Sequence, residues 1–307
     1  MKPTWIDTHI HISDYGTDGA KRDHFCQALG ELLDSSDADL KFVVSADCDY
    51  NFRILKDPSY ILKCNRFVHE VCQEFPGRVF GSCLITPNAY KESLEAMNIC
   101  FGEWGFVMLG EMLGYMMHFN LTDENSLKLV HRAAEFDVPI QVHLGTYVTM
   151  KGYAPNNRMD GIAQIADMIR CADTVPNAKW IMAHAIGCAP FRHYIPWANM
   201  FLDIVQGHYG CFPENFWVEI RDFYCKALPR VIQEVPHDKI LSGTDWTTRI
   251  GPPFAPYGTC FEATQGQKTP YVPCVATFID YLKKAGATDD VIELIAHKNA
   301  EKLFKLR

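Results

Sequence analysis

Apolar and polar positions alternate with period two from Trp5 to Ser13, placing Ile6, Ile10 and Ile12 on one face of a strand and Asp7, His9 and His11 on the other. Short apolar runs recur at Leu40–Ser45, Arg78–Thr86, Gly105–Met112, Pro139–Gly145, Lys179–Gly187, Met200–Val205 and Lys239–Thr244, and each predicts a further strand. Helical periodicity fills the intervals: Lys21–Leu33, Pro58–Phe75 (stopped by Pro76-Gly77), Ala89–Cys100, Asp123–Phe136, Asp160–Asp173 and Phe216–Val235. Two more helices, Val275–Ala285 and Asp289–Phe304, follow the last strand. Eight strands alternating with helices predict an α/β protein, a (β/α)8 TIM barrel with additional C-terminal helices, in one domain over 1–307. A doubly wound open sheet is the alternative. The barrel is favoured because polar and Gly-rich residues gather just after the strands, where a barrel concentrates its chemistry.

That placement singles out particular residues. His9 and His11, two positions apart on one strand face, can reach a common cation; the plainer reading is a pair of hydrogen-bonded histidines at a strand end. His143 ends the fifth strand, His184 the sixth, and Asp245 follows the eighth. In a barrel these ends converge on one mouth, so a bland explanation needs independent accidents at four strands. Glu111 ends the apolar fourth strand and needs a partner there: a second metal, a rim arginine, or solvent.

Composition narrows the partners. A formal net charge of −8 argues against a nucleic-acid backbone, leaving a small molecule as the expected substrate. No apolar run is long enough to span a membrane and no signal peptide precedes the first strand, so a cytoplasmic protein is expected. Twelve cysteines without a Cys-x-x-Cys pair fit reduced thiols rather than a disulfide framework.

Taken together, Asp7-Thr8-His9-Ile10-His11, His143, His184 and Ser242-Gly243-Thr244-Asp245-Trp246 resemble the amidohydrolase superfamily. Ala183-His184-Ala185-Ile186-Gly187 and Asn299-Ala300-Glu301-Lys302-Leu303-Phe304 look most like its branch containing aminocarboxymuconate-semialdehyde and resorcylate decarboxylases. The resemblance implies a metal-dependent barrel in which His9, His11, His143 and Asp245 hold a divalent metal and His184 stands beside it. Gly110-Glu111-Met112 departs from that branch and looks closer to the metal-bridging glutamate of TatD-type deoxyribonucleases. One tightly held ion is expected, with a second, weaker one an alternative; zinc suits the donor set best, and manganese, iron or cobalt also suit it.

Two chemistries follow. In the first and preferred one, metal-activated water attacks an ester, lactone or amide carbonyl, Asp245 takes the water proton, and His184 stabilises the oxyanion or assists that transfer. In the second, a small aromatic or unsaturated carboxylic acid loses carbon dioxide and gains a proton through His184 or bound water. A non-enzymatic metal-binding or scaffolding protein is a third reading and leaves a complete ligand set without a use. Lys151, Arg158, Arg192 and Arg249 are candidate anchors for an anionic substrate. Tyr147, Trp246 and the aromatics of the Gly207–Asn215 loop are candidate pocket walls. Such aromatics serve equally as packing or as contacts in a homo-oligomer.

Overall fold

A computed structural model describes residues 2–12, 19–46, 49–144, 161–186, 194–247 and 275–306. Its strands are β1 Thr4–Ile12, β2 Asp39–Ala46, β3 Val79–Cys83, β4 Met108–Met112, β5 Ile140–His143, β6 Trp180–Ile186, β7 Phe216–Ile220, β8 Ile240–Ser242 and β9 Trp246–Thr247. They pair in parallel and in chain order, with helices between them. The eighth barrel stave is split: β8 pairs with β7 through Ile220↔Ser242, and β9 pairs with β1 through Ile10↔Trp246. The sheet thus closes on itself as a (β/α)8 barrel followed by C-terminal helices.

Two apolar layers hold it. Inside, Ile6, Val43, Met108, Ile181, Trp217 and Leu241 from six strands pack together and are closed off by Ala300, Leu303 and Phe304 of the helix Asn299–Phe304. Asn299 Nδ2 ties that helix to the foot of β8 by donating to the carbonyls of His237 and Ile240, at 2.7 and 2.8 Å. Outside, residues such as Trp5, Ile10, Phe42, Val44 and Ile140 pack against the helices. Each fully buried Leu, Ile or Phe contributes about 1.5–3 kcal/mol. No helix among the described residues is long and apolar enough to cross a membrane.

The expected seventh strand is in the wrong place. Met200–Val205 lies within the helix Tyr194–Tyr209, and β7 is Phe216–Ile220, the start of what reads as a helix in the sequence. A short apolar run does not by itself separate strand from buried helix. Here Ala198, Phe201, Leu202 and Val205 are buried at helical spacing while Asp203 faces solvent. In β7 the polar Glu219 interrupts a run of aromatic and β-branched residues and hides its strand character. One consequence is that the segment 210–215 enters the strand from below, at the end opposite the mouth. His208 and Tyr209, the last residues of the preceding helix, bind Asp173 rather than lining a pocket.

Strict alternation also fails at three points, each beside a residue of interest. Register shifts occur between Asp7 and Ile10, Leu109 and Met112, and Met182 and Ile186. Such irregularities re-aim side chains. Ile6 accordingly points into the barrel while Ile10 and Ile12 join the outer layer.

Candidate metal centre

At the C-terminal rim the side chains of His9, His11, Glu111, His143, His184 and Asp245 converge. His9 Nε2 and His11 Nε2 are 2.8 Å apart, and Asp245 Oδ1 lies 3.3 Å from His11 Nε2 and 3.7 Å from His9 Nε2. Glu111 stands between two groups of histidines. Its Oε2 is 3.6 and 3.3 Å from the Nε2 atoms of His9 and His11, and its Oε1 is 2.8 Å from His143 Nδ1 and 3.3 Å from His184 Nε2. Among the described residues three donor triads could hold an ion: His9–His11–Asp245, Glu111–His143–His184 and, deeper, His9–His184–Glu219.

Backbone geometry sets up this arrangement. His184 and Asp245 both adopt left-handed backbone angles, φ 56° and 53°. For non-glycine residues that conformation costs about 1–3 kcal/mol and persists only where surrounding structure enforces it. Gly110 is required by close approach: a Cβ there would sit 2.6 Å from the Gln141 carbonyl oxygen. Asp7, which the pattern puts on the face of His9 and His11, instead ties strands together. Its carboxylate accepts from the His9 and Thr244 amides, both at 3.0 Å, and from the Thr244 hydroxyl at 2.6 Å.

A second layer of partners fixes the rings. His9 Nδ1 lies 2.7 Å from Glu219 Oε1, and Gln141 Nε2 donates to Glu219 Oε2 at 2.7 Å. His11 Nδ1 faces the Ser45 hydroxyl at 2.9 Å and the Ala46 carbonyl at 3.2 Å. A carboxylate and a carbonyl only accept, so in both rings the proton belongs on Nδ1 and the lone pair on Nε2. Two lone pairs facing each other at 2.8 Å repel unless a proton or a metal cation lies between them. Glu111 Oε1, on a residue 4% exposed, faces His143 Nδ1 at 2.8 Å and His184 Nε2 at 3.3 Å without a well-aligned hydrogen bond to either. The donor set therefore fits a divalent metal.

Charge agrees. Glu111, Glu219 and Asp245 bring three carboxylates against one guanidinium, Arg221, whose NH2 lies 3.1 Å from Asp245 Oδ2. With neutral imidazoles, these groups and the buried Asp7 carboxylate leave a net negative charge among the described residues, which a divalent cation would offset. Burial would raise the Asp245 carboxyl, but Arg221 and the neighbouring imidazoles hold it well below the usual carboxylate range. Glu111 is held low in the same way, against its burial, by His143, His9 and His11. Burial works against a charged His9, yet Glu219 and Glu111 push it well above the ordinary imidazole value. His11 is raised to about 9 against its burial, by Asp245 and Glu111. His184 is pushed down to about 4 by burial.

The structure thus brings together His9, His11, Glu111, His143, His184 and Asp245. Trp246 is 3% exposed and packs in the outer core with Ile10, which removes it from the pocket wall. Tyr147, Lys151, Arg158, Arg192 and Arg249 lie outside the described residues. Glu219 and Arg221 are absent from the sequence reading because their strand is read as a helix. The signal that could have found them is the Phe-Trp-Val-Glu-Ile-Arg run, strand-like in composition and carrying Glu219 and Arg221 toward the end that the barrel delivers to its mouth.

A closed β/α barrel with imidazoles and carboxylates gathered at the C-terminal strand ends defines a class of enzyme. The chain belongs to the amidohydrolase family, whose model it matches over residues 6–306. No curated protein sequence matches it. In fold it is similar to an amidohydrolase-type protein from Staphylococcus aureus, at 18% identity, 98% of this chain, 99% of that chain and TM-score 0.69. It is also similar to a dihydroxybenzoic acid decarboxylase from Polaromonas with bound manganese and 2-nitroresorcinol, at 15% identity, 99% and 97% coverage and TM-score 0.64. A third similar structure is 4-oxalomesaconate hydratase from Rhodopseudomonas palustris, at 16% identity, 98% and 95% coverage and TM-score 0.62.

Proposed function

We propose that the protein is a metal-dependent, non-oxidative decarboxylase of a small aromatic or unsaturated carboxylic acid. The observation that carries this over hydrolysis is the pairing of Asp245 with Arg221 at 3.1 Å. Hydrolysis, the first expectation from the sequence, asks Asp245 to take a proton from water, and a carboxylate paired with a guanidinium is a weak base. Decarboxylation needs no such base. The likeness of the whole barrel to a manganese-bound decarboxylase supports the same choice.

His9, His11 and Asp245 would hold the metal, with His143 and Glu111 completing the set. When bound, the metal would supply a Lewis acid that draws electron density from the substrate's acidic oxygens. Arg221 adds a buried positive charge beside that position. His184 is neutral before substrate arrives, and an arriving carboxylate favours a proton on its ring. The bond from carbon to the carboxylate then breaks and carbon dioxide leaves. The electron pair left on carbon takes the proton from His184. A single ion, manganese or zinc, is the expected loading.

The test is turnover after loading with manganese or zinc. Carbon dioxide release from one of a panel of hydroxybenzoates and unsaturated acids, lost in His184→Ala, is the expected result. Hydrolysis of esters or lactones, or addition of water to an unsaturated acid, without carbon dioxide release would overturn the assignment.

A further inference from the structure

Glu219 is held on three sides, and the proposed chemistry leaves it without a task. It is 0% exposed, and its two oxygens are committed to different strands: Oε1 to His9 on β1, Oε2 to Gln141 on β5, both at 2.7 Å. Its stem is held from a third side. A Cβ on Gly243 would fall 2.4 Å from Glu219 Cδ and 2.8 Å from Oε2, so the glycine leaves just the room the carboxylate occupies. Oε1 also lies 3.9 Å from His184 Nδ1, and the His9 and His184 rings stack with centroids 4.7 Å apart. One buried oxygen therefore faces the Nδ1 atoms of both rings, on the side away from the mouth.

We propose that Glu219 is a positioning residue: its Oε1 holds the proton of His9 on Nδ1, and favours the same tautomer in His184, so that both Nε2 lone pairs point at the mouth. It touches no reacting atom. The alternative, Glu219 as a direct ligand with His9 and His184, would need His9 to turn Nδ1 to the ion and give up its Nε2 approach to His11 and Asp245. Orienting partners of this kind change metal affinity by about 10–100-fold when lost. The inference rests on the reading of the cluster as a metal centre, and its test separates the two.

The experiment compares wild type with Glu219→Gln by nitrogen-15 spectra of the histidine rings in metal-free protein, at a pH high enough to leave His9 neutral, and by titration with manganese alone. Wild type is expected to show His9 as a single Nδ1–H tautomer. Glu219→Gln should show a mixture and bind manganese about 10–100-fold more weakly. A folded variant with an unchanged His9 tautomer and unchanged affinity overturns the proposal. Failure of wild type to bind manganese would refute the metal reading, while the ring spectra of the metal-free protein still decide the role of Glu219. Should Glu219→Gln fail to fold, Gly243→Ala displaces the carboxylate without removing it and is read by the same spectra. An unchanged tautomer there also overturns the proposal.

Discussion

Replacing Arg221 by methionine keeps an apolar stem of similar reach and removes the cation that pairs with Asp245. At the observed 3.1 Å and an effective dielectric near 20, the attraction to Asp245 is about 5 kcal/mol. The Asp245 side chain keeps 17% exposure, so solvent returns part of that, and the net loss in metal-free protein is about 2–4 kcal/mol. A divalent ion supplies the same missing charge. Arg221→Met should therefore bind manganese more tightly than wild type, and manganese should stabilise the variant by at least about 1 kcal/mol more than it stabilises wild type. Urea unfolding of both proteins, with and without manganese, measures all four stabilities. Equal metal-free stability within about 0.5 kcal/mol, or equal gains on adding metal, would refute the charge balance described for the site.

Three further outcomes follow from the same geometry. His11→Ala should lose metal content by elemental analysis and remain folded, whereas His9→Ala should lose metal and a further 2–4 kcal/mol or so, because Glu219 is left buried without its partner. Glu111→Gln should leave at most one weak equivalent in a manganese titration of metal-free protein; a second tight equivalent in wild type that vanishes in this variant would show that Glu111 bridges two ions. Phe304→Ala, at the far end of the barrel, should cost about 3–5 kcal/mol in urea unfolding while leaving manganese affinity unchanged, since its partners are Ile6, Val43 and Trp217 rather than the rim.

The sequence made the barrel and most of the cluster legible because strand ends are where a closed parallel sheet delivers its side chains. His9, His11, His143, His184 and Asp245 can each be found by locating a strand and reading its last residues. The same logic misses Glu219 and Arg221, since it inherits the error in strand seven: Met200–Val205 is a solid apolar run, and Glu219 breaks the true one. Alternation was the weaker guide. It groups Asp7 with the histidines, and the shift between Asp7 and Ile10 sends Asp7 to the Thr244 amide instead. Local sequence encodes which residues lie in a strand, but the aim of each at the mouth is set by neighbouring strands.

The split eighth stave has a consequence for how the chain acquires its chemistry. Asp245 lies in the short gap between β8, which pairs with β7, and β9, which pairs with β1, so it occupies the weld where the two free edges of the sheet meet. His9 and His11 lie more than two hundred residues upstream, on the other edge. Until the ring is complete, His9 and His11 on the one side and Asp245 on the other belong to opposite ends of an open ribbon, and that triad cannot close on an ion. Loading of that triad would thus be a late event that reports topological closure, and an ion held across the weld would resist its reopening. Chelation should loosen the pairing of Ile10 with Trp246 before any other, seen as faster amide exchange there.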